Sequence, residues 1–421
     1  MARSSSPRRI DTVVIGAGQA GLMMSHHLGR AGREHVVLER RSTLGGGWRD
    51  RWDNFRLVTP NWSSSMPGFS YDGPDPDGFM PRDEIVARMV EYAAIVDVPV
   101  MLGTDVTRLT HESGGDRFLL ETTDGPMSAR SVVVASGAYG RPHTPALGAA
   151  LTPRITQMHT SEYRNEAALP PGAVLIVGSG QTGVQLAEEL LDSGRRVFLS
   201  VGTAARMRRR YRGRDCFRWL VLLKTDGARY GIPFPTAATL ADPGLRLGAL
   251  PQLTGHKGGS HEIDLRRTAR EDGLTLLGRL QAIDGHTARF GDDLEANLLR
   301  AEGSFEARFR PLIDRYVEAA GLDVPEAEPL VVADYRPPAI PELDLAAAGI
   351  TTVLWASGFR PTLDWIELPV FDEWGLPRLT ANRSEIEGLY FLGMPWQSNM
   401  ISVSIAGTLW DAAEVAALMG I

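Results

Sequence analysis

The feature that most constrains this chain is a glycine pattern that occurs twice. The first copy, Asp11-Thr-Val-Val-Ile-Gly16-Ala-Gly18-Gln-Ala-Gly21, opens with an apolar run of the kind that makes a buried parallel strand. Gly16 allows a tight turn, Gly18 lets a pyrophosphate approach the backbone, and Gly21 lets helix and strand pack closely. Leu22, Met23, His26, His27 and Leu28 continue at helical spacing, which puts the phosphates at a helix N-terminus. Val36 to Leu38 make the next strand, and Glu39 stands 18 residues beyond Gly21, where an acid accepts hydrogen bonds from a ribose.

The second copy starts at Ala173 and repeats the glycines at Gly178, Gly180 and Gly183, followed by Val184, Leu186, Ala187, Leu190 and Leu191 at helical spacing. A new strand covers Val197 to Val201, but no acid ends it. Instead, Arg206, Arg208, Arg209, Arg210, Arg212 and Arg214 follow. Arginine meets a phosphate bidentately, so the second unit is expected to favour NADPH over NADH. Two such units imply an α/β chain with two Rossmann-like dinucleotide-binding domains.

The rest of the chain fits this frame. Gly45-Gly46-Gly47-Trp48 suits a loop lying close to a flat ligand, and Ser63 to Gly78 reads as a long loop anchored by Met66, Phe69, Tyr71 and Phe79. A helix is expected over Glu84 to Val96, with short strands at 98–102, 106–109, 118–122 and 131–135. Ala135-Ser136-Gly137 is echoed by Ala356-Ser357-Gly358 at the end of a second buried strand, so two equivalent strand ends should approach the two nucleotides. Strands are expected at 274–277 and 288–290, and one helix or two over 292–320. A strand and turn through Gly393 and Met394 precede a closing helix over Asn399 to Leu418.

Composition narrows the function. A net charge of −7 argues against non-specific nucleic-acid binding. The single cysteine, Cys216, allows neither a redox dithiol within one chain nor a cysteine-based zinc site, and no metal is expected. No secretory signal or membrane-length apolar run is read, and a cytoplasmic location with no membrane partner is expected.

With both fingerprints and the Ala-Ser-Gly-Phe segment in hand, the chain resembles the class B flavin monooxygenases, including YUCCA-like and dimethylaniline-type enzymes. The resemblance is to the two-dinucleotide-binding flavoprotein fold and covers nearly the whole chain, least around 215–330. It implies an FAD-binding domain over 1–160, an NADPH-binding domain over 161–345 with a less regular insertion at about 205–330, and a return to the FAD domain over 346–421. Gly45, Gly46 and Trp48 match the family's Gly-Gly-x-Trp, and Ala356 to Phe359 its Ala-Thr-Gly-aromatic segment. Expected FAD contacts are Gly16, Gly18, Gln19, Ala20, Gly21, Glu39, Arg40, Gly46, Gly47, Trp48, Leu57, Val106, Ala135, Ser136, Gly137, Gly393 and Met394. Expected NADPH contacts are Gly178, Ser179, Gly180, Gln181, Thr182, Gly183, Arg206, Arg208, Arg209, Ser357 and Gly358.

Of the family's linker signature only His159 and Tyr163 are present, with Pro153 and Ile155 where Phe and Gly are expected. The resemblance implies at Asn61 an amide that protects the oxygenated flavin in some relatives, the other reading of this residue being a loop-capping asparagine. The implied activity is insertion of one atom of O2 into a small organic substrate through a flavin C4a-(hydro)peroxide. The alternatives are an NAD(P)H-dependent flavoprotein reductase passing electrons to a protein or quinone, and a nucleotide-sensing protein without turnover. Oligomeric state stays open, a homodimer being one expectation.

Overall fold

A computed structural model describes residues 6–112, 115–248, 251–256, 259–380 and 382–421. The chain divides into two compact units, 1–141 with 235–247 and 359–421, and 142–234 with 248–358. Where the sequence suggested breaks at 160 and 345, the second unit also holds 142–160 and 346–358, while 235–247 sits with the first.

The first unit begins with the strand Arg8–Ile15, the helix Gln19–Arg30 and the strand His35–Glu39. Six strands of its seven-stranded sheet run in the order Val100–Leu102, His35–Glu39, Arg8–Ile15, Met127–Val134, Phe118–Thr122, Val106–His111, and the seventh, Leu389–Phe391, pairs with Met127–Val134. The strands nearest the first glycine turn are parallel, and Phe118–Thr122 and Val106–His111 pair antiparallel at the far edge. Met127–Val134 is shared along its length. Its first residues pair with Phe118–Leu120, and its last with Leu389–Phe391. Val13, Val132, Leu109, Phe118 and Phe391 form a core from which water is excluded. The helix Arg82–Ile95 covers this unit with Ile85, Met89, Tyr92 and Ala93, as the apolar spacing requires.

The second unit is built on a five-stranded, wholly parallel sheet. Its order is Thr275–Leu277, Val197–Ser200, Ala173–Val177, Ile350–Trp355, Thr156–His159. Near-continuous apolar strands such as Ala173-Val-Leu-Ile-Val are what a sheet covered on both faces needs. A three-stranded antiparallel sheet, Leu280–Asp284, Thr287–Phe290 and Glu342–Asp344, closes one side of the core around Trp355. The expected long helical stretch is two helices, Leu294–Arg308 and Arg310–Ala319, with Pro311 in the first turn of the second.

The closing helix differs from expectation. It spans Ile405–Leu418 and is capped by Ser404, whose Oγ accepts the Gly407 N–H at 3.0 Å. Residues 399–404 are turns instead, because Ser402 and Asn399 bind local backbone N–H groups and compete with helix formation. No helix among the described residues is long and apolar enough to cross a membrane.

Trp355 is fully buried and donates its indole N–H to Gln157 Oε1 at 3.1 Å. Trp355→Ala should therefore cost about 3–5 kcal/mol. Denaturant melting should show this as a lowered midpoint for the second unit.

Candidate active site

Both glycine turns leave the carboxyl ends of parallel strands, where open α/β sheets bind ligands. They are built alike. Gly16 has φ +106° and Gly178 has φ +112°, conformations that L side chains rarely adopt. A Cβ on Gly16 would lie 2.6 Å from the Ala135 carbonyl oxygen, and one on Gly178 would lie 2.5 Å from that of Ala356. Thus Ala135-Ser136-Gly137 and Ala356-Ser357-Gly358 do face equivalent turns. Gly21 and Gly183 are closer still, since a Cβ there would meet the carbonyl oxygen of Gly16 at 1.8 Å and of Gly178 at 1.9 Å. Around Gly18, by contrast, nothing lies within 4 Å of where a Cβ would be.

The helices that follow, Gln19–Arg30 and Gln181–Asp192, have Gly18 and Gly180 as N-caps and no side-chain cap. Their first-turn N–H groups therefore stay available for an anion. This open turn over uncapped helix N–H groups fits a dinucleotide pyrophosphate.

Glu39 is buried at the end of its strand, where one carboxylate oxygen accepts the Ala17 N–H at 2.8 Å and the other the Arg41 N–H at 3.0 Å. A carboxylate has about four acceptor positions, so ribose hydroxyls can still bind. Gly46 lies against Gly18, 3.0 Å from its Cα to an added Cβ. Trp48 donates to Gln19 Oε1 at 3.1 Å, and the Gln19 amide donates to Thr408 Oγ1 at 2.9 Å. Gly393 packs on Ala20. Gly16, Gly18, Gln19, Ala20, Gly21, Glu39, Gly46, Trp48, Ala135 and Gly393 are thus brought together. Arg40 is exposed beside Glu39, and Gly47 is exposed beside Gly46. Gly137 has open space about it, next to the exposed Ser136. Leu57, Val106 and Met394 point their side chains into the core, leaving only backbone for a ligand.

Several expected site residues have structural partners. Asn61 is buried, its Nδ2 donating to Asp75 O at 2.9 Å and its Oδ1 accepting the Met80 N–H at 2.7 Å. Both ends of its amide clamp the long loop. Gln181 is likewise committed, donating to Thr254 O at 2.7 Å and accepting the Leu253 N–H at 2.6 Å. Ser179 Oγ accepts the Gly202 N–H at 3.1 Å, which ties the second glycine turn to the end of the neighbouring strand. Thr182 is half-buried in the first helical turn.

The arginine cluster departs most from expectation. Arg206 pairs with Glu262 at 3.2 Å, Arg208 with Glu306 at 3.4 Å, and Arg209 with Asp215. All three pairs lie within the second unit. The segment also runs away from the strand end alongside the helix Leu294–Arg308. Asn297 donates to Val201 O, Ala301 O accepts the Arg206 N–H, and Glu306 meets Arg208. Nine helical positions separate Asn297 from Glu306, an advance of roughly 14 Å.

His159 ends a strand of the second sheet. Its Nδ1 accepts the Ser161 N–H at 3.1 Å, so the proton sits on Nε2, which meets Gly358 O at 2.9 Å. Burial lowers its pKa, and the neutral ring holds the Ser357-Gly358 turn. The lowered folded-state pKa means this contribution is complete above the unfolded value of about 6.5 and is lost as pH falls below it.

Sequence reasoning missed Gln252, which donates to Ser179 O at 2.7 Å, and Thr254 beside it. They lie in a Pro- and Gly-rich stretch whose order gives no periodic signal. No cluster of metal-ligating side chains occurs among the described residues.

The family described as pyridine nucleotide-disulphide oxidoreductase matches residues 13–214. An "Uncharacterized oxidoreductase CzcO-like" of Geobacillus kaustophilus is 28% identical over 406 residues, covering 96% of each chain. The rice indole-3-pyruvate monooxygenase YUCCA1 is 29% identical over 184 residues, 43% of this chain and 45% of that one. A flavin-containing monooxygenase from Stenotrophomonas maltophilia shares the fold, with a TM-score of 0.66 at 19% identity over 98% of both chains. The chain is thus similar in sequence to flavin monooxygenases and shares their fold. It is an oxidoreductase of the two-dinucleotide-binding fold, and with one buried cysteine it holds no redox dithiol within the chain.

Gly21→Ala would drive a methyl into the Gly16 carbonyl and should leave the purified protein with little bound flavin. Gly29→Ala, on the same helix with nothing closer than 4.0 Å, should keep its flavin. Absorbance of the two preparations checks this.

Proposed function

We propose that the protein is an FAD- and NADPH-dependent monooxygenase acting on a small organic substrate. The observation that carries the reading is the pair of equivalent glycine turns, each against an Ala-Ser-Gly strand end, in a chain related to flavin monooxygenases. Only the first turn is followed by an acid at its strand end, so the first takes FAD, with Glu39 on the ribose, and the second takes the nicotinamide nucleotide.

Bound flavin would supply the redox chemistry, namely hydride exchange with the nicotinamide and activation of O2. The protein's share is binding and orientation. The N–H groups at the start of the helix Gln19–Arg30 hold the pyrophosphate, and the Trp48–Gln19–Thr408 chain fixes the turn that carries them. The second helix does the same for NADPH, with Ser179, Gln181 and Gln252 bracing its turn. His159 keeps the Gly358 carbonyl in place, which sets the strand end facing that turn. Asn61 has no part in this scheme.

Stopped-flow mixing tests the reading. Protein reduced anaerobically with NADPH and then mixed with oxygenated buffer should give a long-lived flavin spectrum distinct from the oxidised and reduced forms. Immediate return to oxidised flavin, with one peroxide released per flavin, would instead support a reductase.

A further inference from the structure

With Arg206, Arg208 and Arg209 paired to acids, another group must read the 2′-phosphate. We infer that Arg279, at the end of the strand Thr275–Leu277, is the residue that makes the second site prefer NADPH to NADH. This rests on the reading of that site as the nicotinamide-nucleotide site.

Position is the first ground. In a Rossmann unit the adenosine ribose lies over the carboxyl end of the second strand, here Val197–Ser200. The segment 277–280 is bonded directly to that end. Val201 donates its N–H to Leu277 O at 2.9 Å, Ser200 Oγ donates to Gly278 O at 3.0 Å, and the Leu280 N–H donates to Ser200 Oγ at 3.0 Å. The Gly202 N–H on Ser179 Oγ joins the same edge to the glycine turn.

Availability is the second. Arg279 is exposed, and its guanidinium makes no hydrogen bond or ion pair among the described residues. Its backbone is rigidly held, the N–H by Asp293 Oδ1 at 2.9 Å and the carbonyl by the Gly291 N–H at 2.8 Å. A fixed root and a free fork suit a phosphate. The exposed Thr203, three residues past Ser200, offers a hydroxyl at the same edge. The opposing charges here are Asp292, exposed, and Asp293, half-buried, either of which would suit an unphosphorylated ribose instead.

Binding to the FAD-loaded full chain separates these outcomes, using titration calorimetry with NADP+, NAD+ and 2′,5′-ADP. The wild type should bind NADP+ more tightly than NAD+. Arg279→Gln should weaken NADP+ and 2′,5′-ADP by about tenfold or more, the weight of a charge-assisted contact, and leave NAD+ within about twofold. Arg279→Lys should retain part of the preference, and Arg208→Gln should leave the NADP+/NAD+ ratio unchanged. Equal weakening of both nucleotides, or of neither, would overturn the role of Arg279. A wild type that binds NAD+ as tightly as NADP+ would also overturn it and assign the edge to Asp292 and Asp293. If FAD is retained but neither nucleotide binds, the failure lies in the reading of the second site itself.

Discussion

Everything at the two turns depends on backbone packing against backbone, at distances that exclude even a methyl group. The Gly16 carbonyl fills the space where Gly21 would carry a side chain, and the Gly178 carbonyl does the same at Gly183. That contact draws each helix N-terminus over the end of its strand. Strand, turn and uncapped N–H groups then form one rigid anion cradle. Polar side chains brace it. Gln19 links Trp48 to Thr408, and Gln181 and Gln252 fasten the second turn to residues 252–254.

Likeness of the turns leaves the difference between the sites to their strand ends. In the first unit a buried acid, Glu39, completes the strand and is oriented by two backbone N–H groups. In the second, the strand ends at Ser200, whose hydroxyl is used to bind the next strand's exit, and the loop beyond runs off along a helix. Charge recognition there passes from residues close in sequence to one held beside the strand end by sheet pairing.

The sequence made the glycine turns, the parallel strands and Glu39 legible, because each is a local rule of conformation or burial. Ala135-Ser136-Gly137 and Ala356-Ser357-Gly358 were also visible, as a repeat. What stayed hidden depends on distant partners. Arg206 and Arg208 look like free cations until Glu262 and Glu306 fold against them. Gln181 looks like a ligand contact, and Asn61 like either a catalytic amide or a loop cap, until loop backbone groups occupy their amides. The start of the last helix was misplaced because Ser404 caps it after several turn residues that carry the same apolar pattern.

The most direct test of two distinct nucleotide sites is a stoichiometry. Flavin released from a known amount of protein would be measured together with NADP+ bound at saturation to the same FAD-loaded sample. The account requires one FAD and one NADP+ per chain, with excess NADP+ displacing no flavin. Competition between the two, or a chain that holds only one nucleotide, would contradict it.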